Sequence, residues 1–222
     1  MSLVSNVHFR HSLILAVLAL AAPRAQAEPV THQFVGQLTT ITNAASGFLD
    51  LTGVFTMGAA VTLDCTIERS TPGLPQDAYV TGYTDPVTMV TFSIGSWSGG
   101  SAPSSSGATV TNNAPSPLKF PQTQLVNYDQ YSWNALGVTA PALGTATLQS
   151  LTSTLDDVDG TIFASTAIPR VFPDLSAFEG KTATFLLFDI TQLKSGYVMA
   201  TLSSVSTPAQ ATTWGGLKAL YR

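Results

Sequence analysis

A two-residue alternation between Val61 and Glu68 is the feature that most constrains the fold of this chain. Apolar Val61, Leu63, Cys65 and Ile67 alternate there with polar side chains. Successive side chains of a β-strand point to opposite faces of its sheet, so the pattern predicts a half-buried strand. It places Cys65 on the buried face, whereas a reactive thiol needs exposure and a cationic neighbour.

Shorter patterns of the same kind recur along the chain between turn residues. They are rich in Thr, Val and aromatic residues, which favour strands, and no long helical stripe interrupts them. One helical turn is predicted at Asp174 to Phe178, behind Pro173. The further strands are predicted at Gln33 to Ile41, Phe48 to Met57, Val87 to Trp97, Gly107 to Thr111, Ala146 to Thr152, Gly160 to Ser165, Thr182 to Ile190 and Gly196 to Val205.

Two stretches lack this rhythm. Ser96 to Pro117 is rich in Ser, Gly and Pro, which predicts long surface loops around a short strand. Lys119 to Thr139 mixes aromatic and polar residues without a clear period. We therefore expect an all-β fold, a single β-sandwich of mostly antiparallel strands, with a jelly-roll order as one option.

The first 27 residues have the three parts of a secretory signal. A start that carries Arg10 precedes the apolar run Leu13 to Ala22, and Ala25-Gln26-Ala27 supplies the small side chains of a cleavage site. The apolar run is short of the roughly 20 residues that a membrane-spanning helix needs. The sequence thus predicts a signal peptide at 1–27, a β-sandwich domain at 28–206, a C-terminal tail at 207–222, and a secreted or periplasmic location.

Charge narrows the choice of partners. Removal of the signal takes away two of the nine Lys and Arg residues and none of the thirteen Asp and Glu residues, which leaves a formal charge of −6. An acidic domain with scattered cations has no basic stripe for phosphates, so nucleic acid is not expected as a partner. No membrane span is expected after signal cleavage.

Several short segments share the features of one family. They are Phe34 to Leu38, Gly53 to Gly58 with the following Val61 to Ile67 strand, Val90 to Gly95, Ala167 to Phe178, and the last strand before Ser206. Together they resemble the exported β-domains of bacterial PEP-CTERM proteins, which exosortases sort. The resemblance implies a β-fold and export, and no common activity. Gly215 to Arg222 lacks the apolar span and the Arg cluster of that family's sorting tail.

Three aspartates close together are the candidate metal ligands. Asp156, Asp157 and Asp159 precede Gly160, and such a turn can direct carboxylate and carbonyl oxygens toward one Ca²⁺. The alternative is an Asp-Gly turn between two strands that needs no ion, and it is the reading that the incomplete spacing favours. No other cofactor is expected.

Aromatic residues suggest a binding surface. Tyr128, Tyr131 and Trp133 form the densest aromatic group, and flat rings stack on sugars or anchor protein partners. The alternative is that Trp133 fills the end of the core. A ligand of this group would be a glycan or another envelope protein.

Two classes of function follow from these residues. His32 is the only histidine beyond the predicted signal, which disfavours chemistry built on a catalytic triad or a histidine-rich zinc site. The preferred class is therefore a non-enzymatic binding or surface-associated module. The alternative is a secreted polysaccharide hydrolase that uses two carboxylates, with candidates Asp50, Asp64, Glu68 and Asp85.

Overall fold

The computed structural model describes residues 29–116 and 126–207. The predicted signal peptide at 1–27 lies outside the described residues, as does all of the predicted tail at 207–222 except Thr207. Among the described residues the regular elements are strands and two short 3-10 turns, Ala44–Ser46 and Leu175–Ala177. The strands are β1 (Val30–Ile41), β2 (Ala60–Ile67), β3 (Gly73–Pro75), β4 (Val80–Thr84), β5 (Val87–Ile94), β6 (Trp97–Ser101), β7 (Ser105–Ser116), β8 (Val126–Leu136), β9 (Ala146–Asp157), β10 (Gly180–Asp189) and β11 (Lys194–Ser206).

All eleven described strands belong to one antiparallel sheet. Its order is β3-β4-β7-β8-β9-β10-β11-β1-β2-β5-β6, so β7 to β11 form a consecutive meander and β1 lies between β11 and β2. The sheet curls until β5 reaches β7, where the Val87 N–H donates to Ser106 Oγ over 3.0 Å. Its two halves therefore face each other around one core, as the layers of a β-sandwich do, and the all-β prediction is confirmed.

Alternate residues of the strands form the inner face and the core. Cys65 is fully buried between Leu63 and Ile67, as its alternation predicts. Rings from opposite halves of the sheet meet, since Phe92 of β5 and Phe185 of β10 have centroids 5.1 Å apart. The largest fully buried side chains are Trp133, Tyr131, Phe34, Phe178, Phe185, Leu38, Leu51, Leu63, Ile67, Ile94, Leu151 and Leu155.

Residues 158–179, here named the cover segment, connect β9 to β10 and pack against the inner face. Phe172 of this segment is buried against Phe34 and Tyr131, with ring centroids 5.8 and 4.8 Å apart. Its backbone is held from the sheet as well, because the Tyr83 hydroxyl donates to the Thr166 carbonyl over 2.7 Å. The helical turn predicted at Asp174 to Phe178 is present here as Leu175–Ala177, with Asp174 as its N-cap.

Two of the predicted strands are wrong. Phe48 to Met57 is a loop without strand structure, and its buried residues Leu49, Leu51 and Phe55 pack onto the end of the sheet. Gly160 to Ser165 is also irregular, because the N–H groups of residues 161–163 bond to two buried carboxylates and not to a neighbouring strand. In both cases the apolar residues of a loop give the sequence a strand-like pattern, although they pack onto the core without forming a strand.

The stretches predicted to lack a clear period contain long strands. Ser96 to Pro117 holds β6 and β7, and Lys119 to Thr139 holds β8. Small and polar residues line the outer faces of these strands, whereas Ala108, Val110, Tyr131 and Trp133 face the core. The prediction of long surface loops in Ser96 to Pro117 is therefore wrong.

Candidate functional site

A shallow groove with a volume of about 260 Å³ lies on the outer face of β4, β7, β8 and β9. Leu74 of β3 and Gln76, just beyond β3, form its wall, and neighbouring outward positions of the other strands form its floor. The side chains and glycines that line it from the outer face are Leu74, Gln76, Gly82, Thr84, Gly107, Thr109, Ser132, Asn134 and Thr152.

Two glycines make this groove. Gly82 lies opposite Thr109, and Gly107 lies between Thr84 and Asn134, so each leaves a gap in a row of side chains. A Cβ added at Gly107 would lie 2.8 Å from Asn134 Oδ1, and one added at Gly82 would lie 2.8 Å from Gln76 Nε2. Neither glycine has a positive φ, so backbone conformation does not require glycine at these positions. Glycine inside a strand often marks a place where a ligand comes close to the backbone.

The chemistry of the groove is neutral and polar. Its outward side chains include three Thr, one Ser, one Asn and one Gln, and no Asp, Glu, Lys, Arg or His lines it. Hydroxyl and amide groups both donate and accept hydrogen bonds. Leu74, which is 64 % exposed, adds an apolar patch to the wall. The groove is suited to an uncharged ligand with many hydrogen-bonding groups.

The aromatic group predicted as a ligand surface is divided between the two faces of β8. Tyr131 and Trp133 are each only 1 % exposed and point into the core. Tyr128 is half-buried and lies at an outward position, because its position differs from that of inward-facing Tyr131 by three and successive side chains of a strand alternate between faces. The three rings therefore form no common surface, and the alternative that Trp133 fills the core describes its position.

Two outward residues of the same strand, Ser132 and Asn134, line the groove. Ser132 and Asn134 alternate with the buried residues Tyr131, Trp133 and Ala135, a period of two that the sequence did not reveal clearly. Their proximity to Gly82, Gly107 and Thr152 could not be predicted either, because it depends on which strands pair and in which register.

The three aspartates predicted as calcium ligands lie where β9 ends. Asp156 accepts a hydrogen bond from Gln130 Nε2 over 2.6 Å. Asp157 is buried and accepts from the Asp159 and Thr161 backbone N–H groups over 3.0 and 2.8 Å. A Ca²⁺ site collects oxygen atoms, whereas these donors turn their hydrogens toward the carboxylate. In the described part of the chain, no group of three or more His, Cys, Asp or Glu side chains is arranged to hold a metal ion.

We predict that Ca²⁺ leaves the thermal stability of the protein nearly unchanged. The N–H donors already satisfy Asp157, so an ion would have to replace hydrogen bonds and would contribute little mass-action stabilisation. Thermal melts with added CaCl₂ and with a chelator test this expectation. A large saturable rise in Tm that Asp157→Asn abolishes would contradict it.

Asp129 is a buried carboxylate that the sequence did not single out. It is fully buried on β8 directly opposite Asp157 of β9. It accepts three backbone hydrogen bonds, from Asn113 over 2.7 Å, from Ile162 over 2.8 Å and from Phe163 over 2.6 Å. Asp129 and Asp157 together fix the first part of the cover segment. Their burial and their bonds identify them as anchors of that segment.

His32 is fully buried on the inner face of β1. Its Nδ1 lies 3.0 Å from Thr207 Oγ1, and its ring meets the edge of Phe172 at a centroid distance of 4.6 Å. Nε2 is buried and has no hydrogen-bond partner among the described residues. Burial, with a smaller effect of the Arg69 charge, lowers the pKa of His32 from 6.5 to about 4.

The lowered pKa of His32 predicts a loss of stability in acid. Between pH 6.5 and about 4 the unfolded chain binds a proton that the folded protein does not, so stability falls as the pH falls through this window. The full difference corresponds to about 3 kcal/mol. Urea unfolding across the window measures it. The measurement is clearest above pH 4.5, because carboxyl groups also change the stability below that pH. Hydrogen bonds from Ser70, for example, lower the pKa of Glu68 from 4.5, so the stability that Glu68 contributes is lost mainly below pH 4.5.

His32→Phe is the control for this prediction. The variant retains a buried ring but cannot take up a proton, so its free energy of unfolding should change much less between pH 6.5 and 4.5. An equally steep loss in both proteins would show that His32 is not responsible.

The carboxylates considered for hydrolysis make local hydrogen bonds. Asp50 accepts from Thr52, Glu68 from Ser70, and Asp85 from the Ser106 backbone. Asp64 accepts from Thr91 on the neighbouring strand at 3.2 Å. These bonds stabilise turns and strand pairs, and they bring none of the four acids to the groove.

In the described ranges, no helix is long and apolar enough to cross a bilayer. Comparison of the chain with protein-family models, with curated proteins and with solved structures finds no match.

Proposed function

We propose that the protein is an exported, non-enzymatic binding module of the cell envelope or extracellular matrix, and that the groove is its ligand site. The ligand is a glycan or another envelope protein. The observation that carries the proposal is the pair of glycines at interior strand positions, Gly82 and Gly107, which open a neutral cavity where the backbone does not demand glycine. Export rests on the sequence signal, with which the resemblance to PEP-CTERM domains agrees.

Filling the groove tests the proposal. Gly107→Ala adds one Cβ that only the mobile end of Asn134 opposes, so the fold should survive and binding should weaken. Gly53→Ala is the matched control, because Gly53 is exposed, lies in a loop that does not line the groove and has open space around it. The purified mature protein and both variants are applied to a glycan array and to an isolated envelope fraction.

The outcome separates the classes of function. Binding by the wild type and by Gly53→Ala that Gly107→Ala loses supports a binding module. Release of reducing sugar that a single carboxylate substitution abolishes would support the hydrolase instead. Equal binding of all three proteins to every probe would remove the groove from consideration.

A further inference from the structure

We propose that the groove binds a neutral polysaccharide, in preference to a charged one or to a peptide. This inference rests on the proposed function, because it names the ligand class of the same site. Three properties of the groove support it: its charge, the set of atoms that are free to bind a ligand, and its size.

Charge excludes the common anionic sugars. Recognition of carboxylate, sulfate or phosphate groups in proteins relies on Arg or Lys side chains, which form the strong charge-assisted bonds. The groove has neither, and its lining is uncharged. The predicted mature chain is also acidic, so its overall field repels polyanions.

The position of the groove on the sheet argues against a peptide. An extended peptide that joins a sheet bonds to the free N–H and C=O groups of an edge strand. The wall of the groove includes the edge strand β3, but β3 has only three residues and its Pro75 has no N–H to donate. The floor of the groove belongs to β4, β7, β8 and β9, whose backbones are already paired with one another. Only side chains remain available there, and they are hydroxyls and amides.

These side chains match the hydroxyl groups of a sugar. Thr84, Thr109, Ser132, Asn134 and Thr152 each offer at least one donor and one acceptor, and a sugar hydroxyl is also both. Leu74 offers an apolar surface on one wall for the C–H face of a sugar ring. The combination of a few polar groups and an apolar wall is typical of ligand sites.

The size of the groove suggests one short stretch of a longer chain. Its volume of about 260 Å³ lies just below the roughly 300–1,000 Å³ of most small-molecule pockets. The site is shallow and leaves much of the ligand in water, so we expect weak binding. Binding should be insensitive to salt, because no ion pairs contribute to it.

Affinity electrophoresis in native gels tests the inference. The gels contain a neutral polysaccharide (dextran, xyloglucan or galactomannan) or an anionic one (alginate or polygalacturonate). The proteins are the mature wild type, Gly107→Ala, Asn134→Ala and the control Gly53→Ala. We expect at least one neutral polysaccharide to retard the wild type and Gly53→Ala, with a Kd that rises about tenfold in the two groove variants.

Other results overturn the inference in distinguishable ways. Retardation by an anionic polysaccharide alone, or by no neutral polysaccharide, contradicts the ligand class. If Gly107→Ala nevertheless loses binding to an anionic glycan or to the envelope fraction, the binding module at the groove stands with a different ligand. If Gly107→Ala binds every probe as the wild type does, both proposals fail. Circular dichroism of each variant confirms that it is folded.

Discussion

Replacing Trp133 by Ala should lower the free energy of unfolding by about 3–5 kcal/mol, the usual cost of removing a large aromatic ring from a core. Trp133 is among the largest fully buried side chains and is 1 % exposed. Its removal leaves a cavity between β8 and the opposite half of the sheet. Urea unfolding of the wild type and the variant measures the effect.

Tyr128→Ala is the matched control on the same strand. Its ring is half-buried at an outward position, so its loss should cost much less than the loss of Trp133. A Trp133→Ala variant as stable as the wild type would show that the inner face of β8 is wrongly assigned. Where Trp133→Ala remains folded, the binding proposed for the groove should persist, because the Trp133 ring lies on the other face of the sheet.

Asp129→Ala should destabilise the protein by about 4 kcal/mol. The carboxylate accepts the N–H groups of Asn113, Ile162 and Phe163, and its removal leaves one buried and two part-buried donors without their acceptor. Each such donor costs about 1–3 kcal/mol when it stays unpaired. Partial entry of water keeps the total below the sum. Urea unfolding gives the magnitude, and limited proteolysis should show earlier cleavage within the cover segment.

Two further variants sharpen this test. Asp129→Asn retains one acceptor oxygen but turns an NH₂ group toward a donor, so its stability should fall between those of the wild type and Asp129→Ala. Asp50→Ala removes an exposed carboxylate that accepts hydrogen bonds from Thr52, and it should cost much less stability than Asp129→Ala. If Asp129→Ala were as mild as Asp50→Ala, Asp129 would not anchor the cover segment.

The strands that the sequence predicted correctly are those whose burial follows the local period. β2, β10 and β11 each have one face on the core and the other toward solvent, so alternation alone reveals them. β8 has the same alternation, but polar Ser132 and Asn134 next to aromatic residues obscured it. Phe48 to Met57 imitated a strand because Leu49, Leu51 and Phe55 fill the end of the core from a loop.

The candidate site was less accessible to sequence analysis than the fold. The segment Tyr128 to Trp133 reaches the groove, but the side chains that line it there are Ser132 and, just beyond the segment, Asn134. Gly82 and Gly107 have no local signal that distinguishes them from turn glycines. Their meaning depends on Thr109 and Asn134, which become neighbours only through strand pairing. The role of Asp129 as an anchor likewise depends on contacts with the cover segment, from which it is separated in the sequence by the whole of β9.

The place of β1 in the sheet imposes an order on folding. Its neighbour on one side is β2, the next strand in sequence, and on the other side β11, the last of the described strands. Phe34 lies opposite Val205 across that second seam, so its ladder is incomplete until nearly the whole domain has been synthesised. Such distant pairing slows folding and leaves strand edges exposed in the meantime. A chain that stops before Lys194 lacks β11, so the edges of both β1 and β10 that β11 covers would be unpaired. Each of these two edges is then free to pair with the same strand of a second copy of the chain.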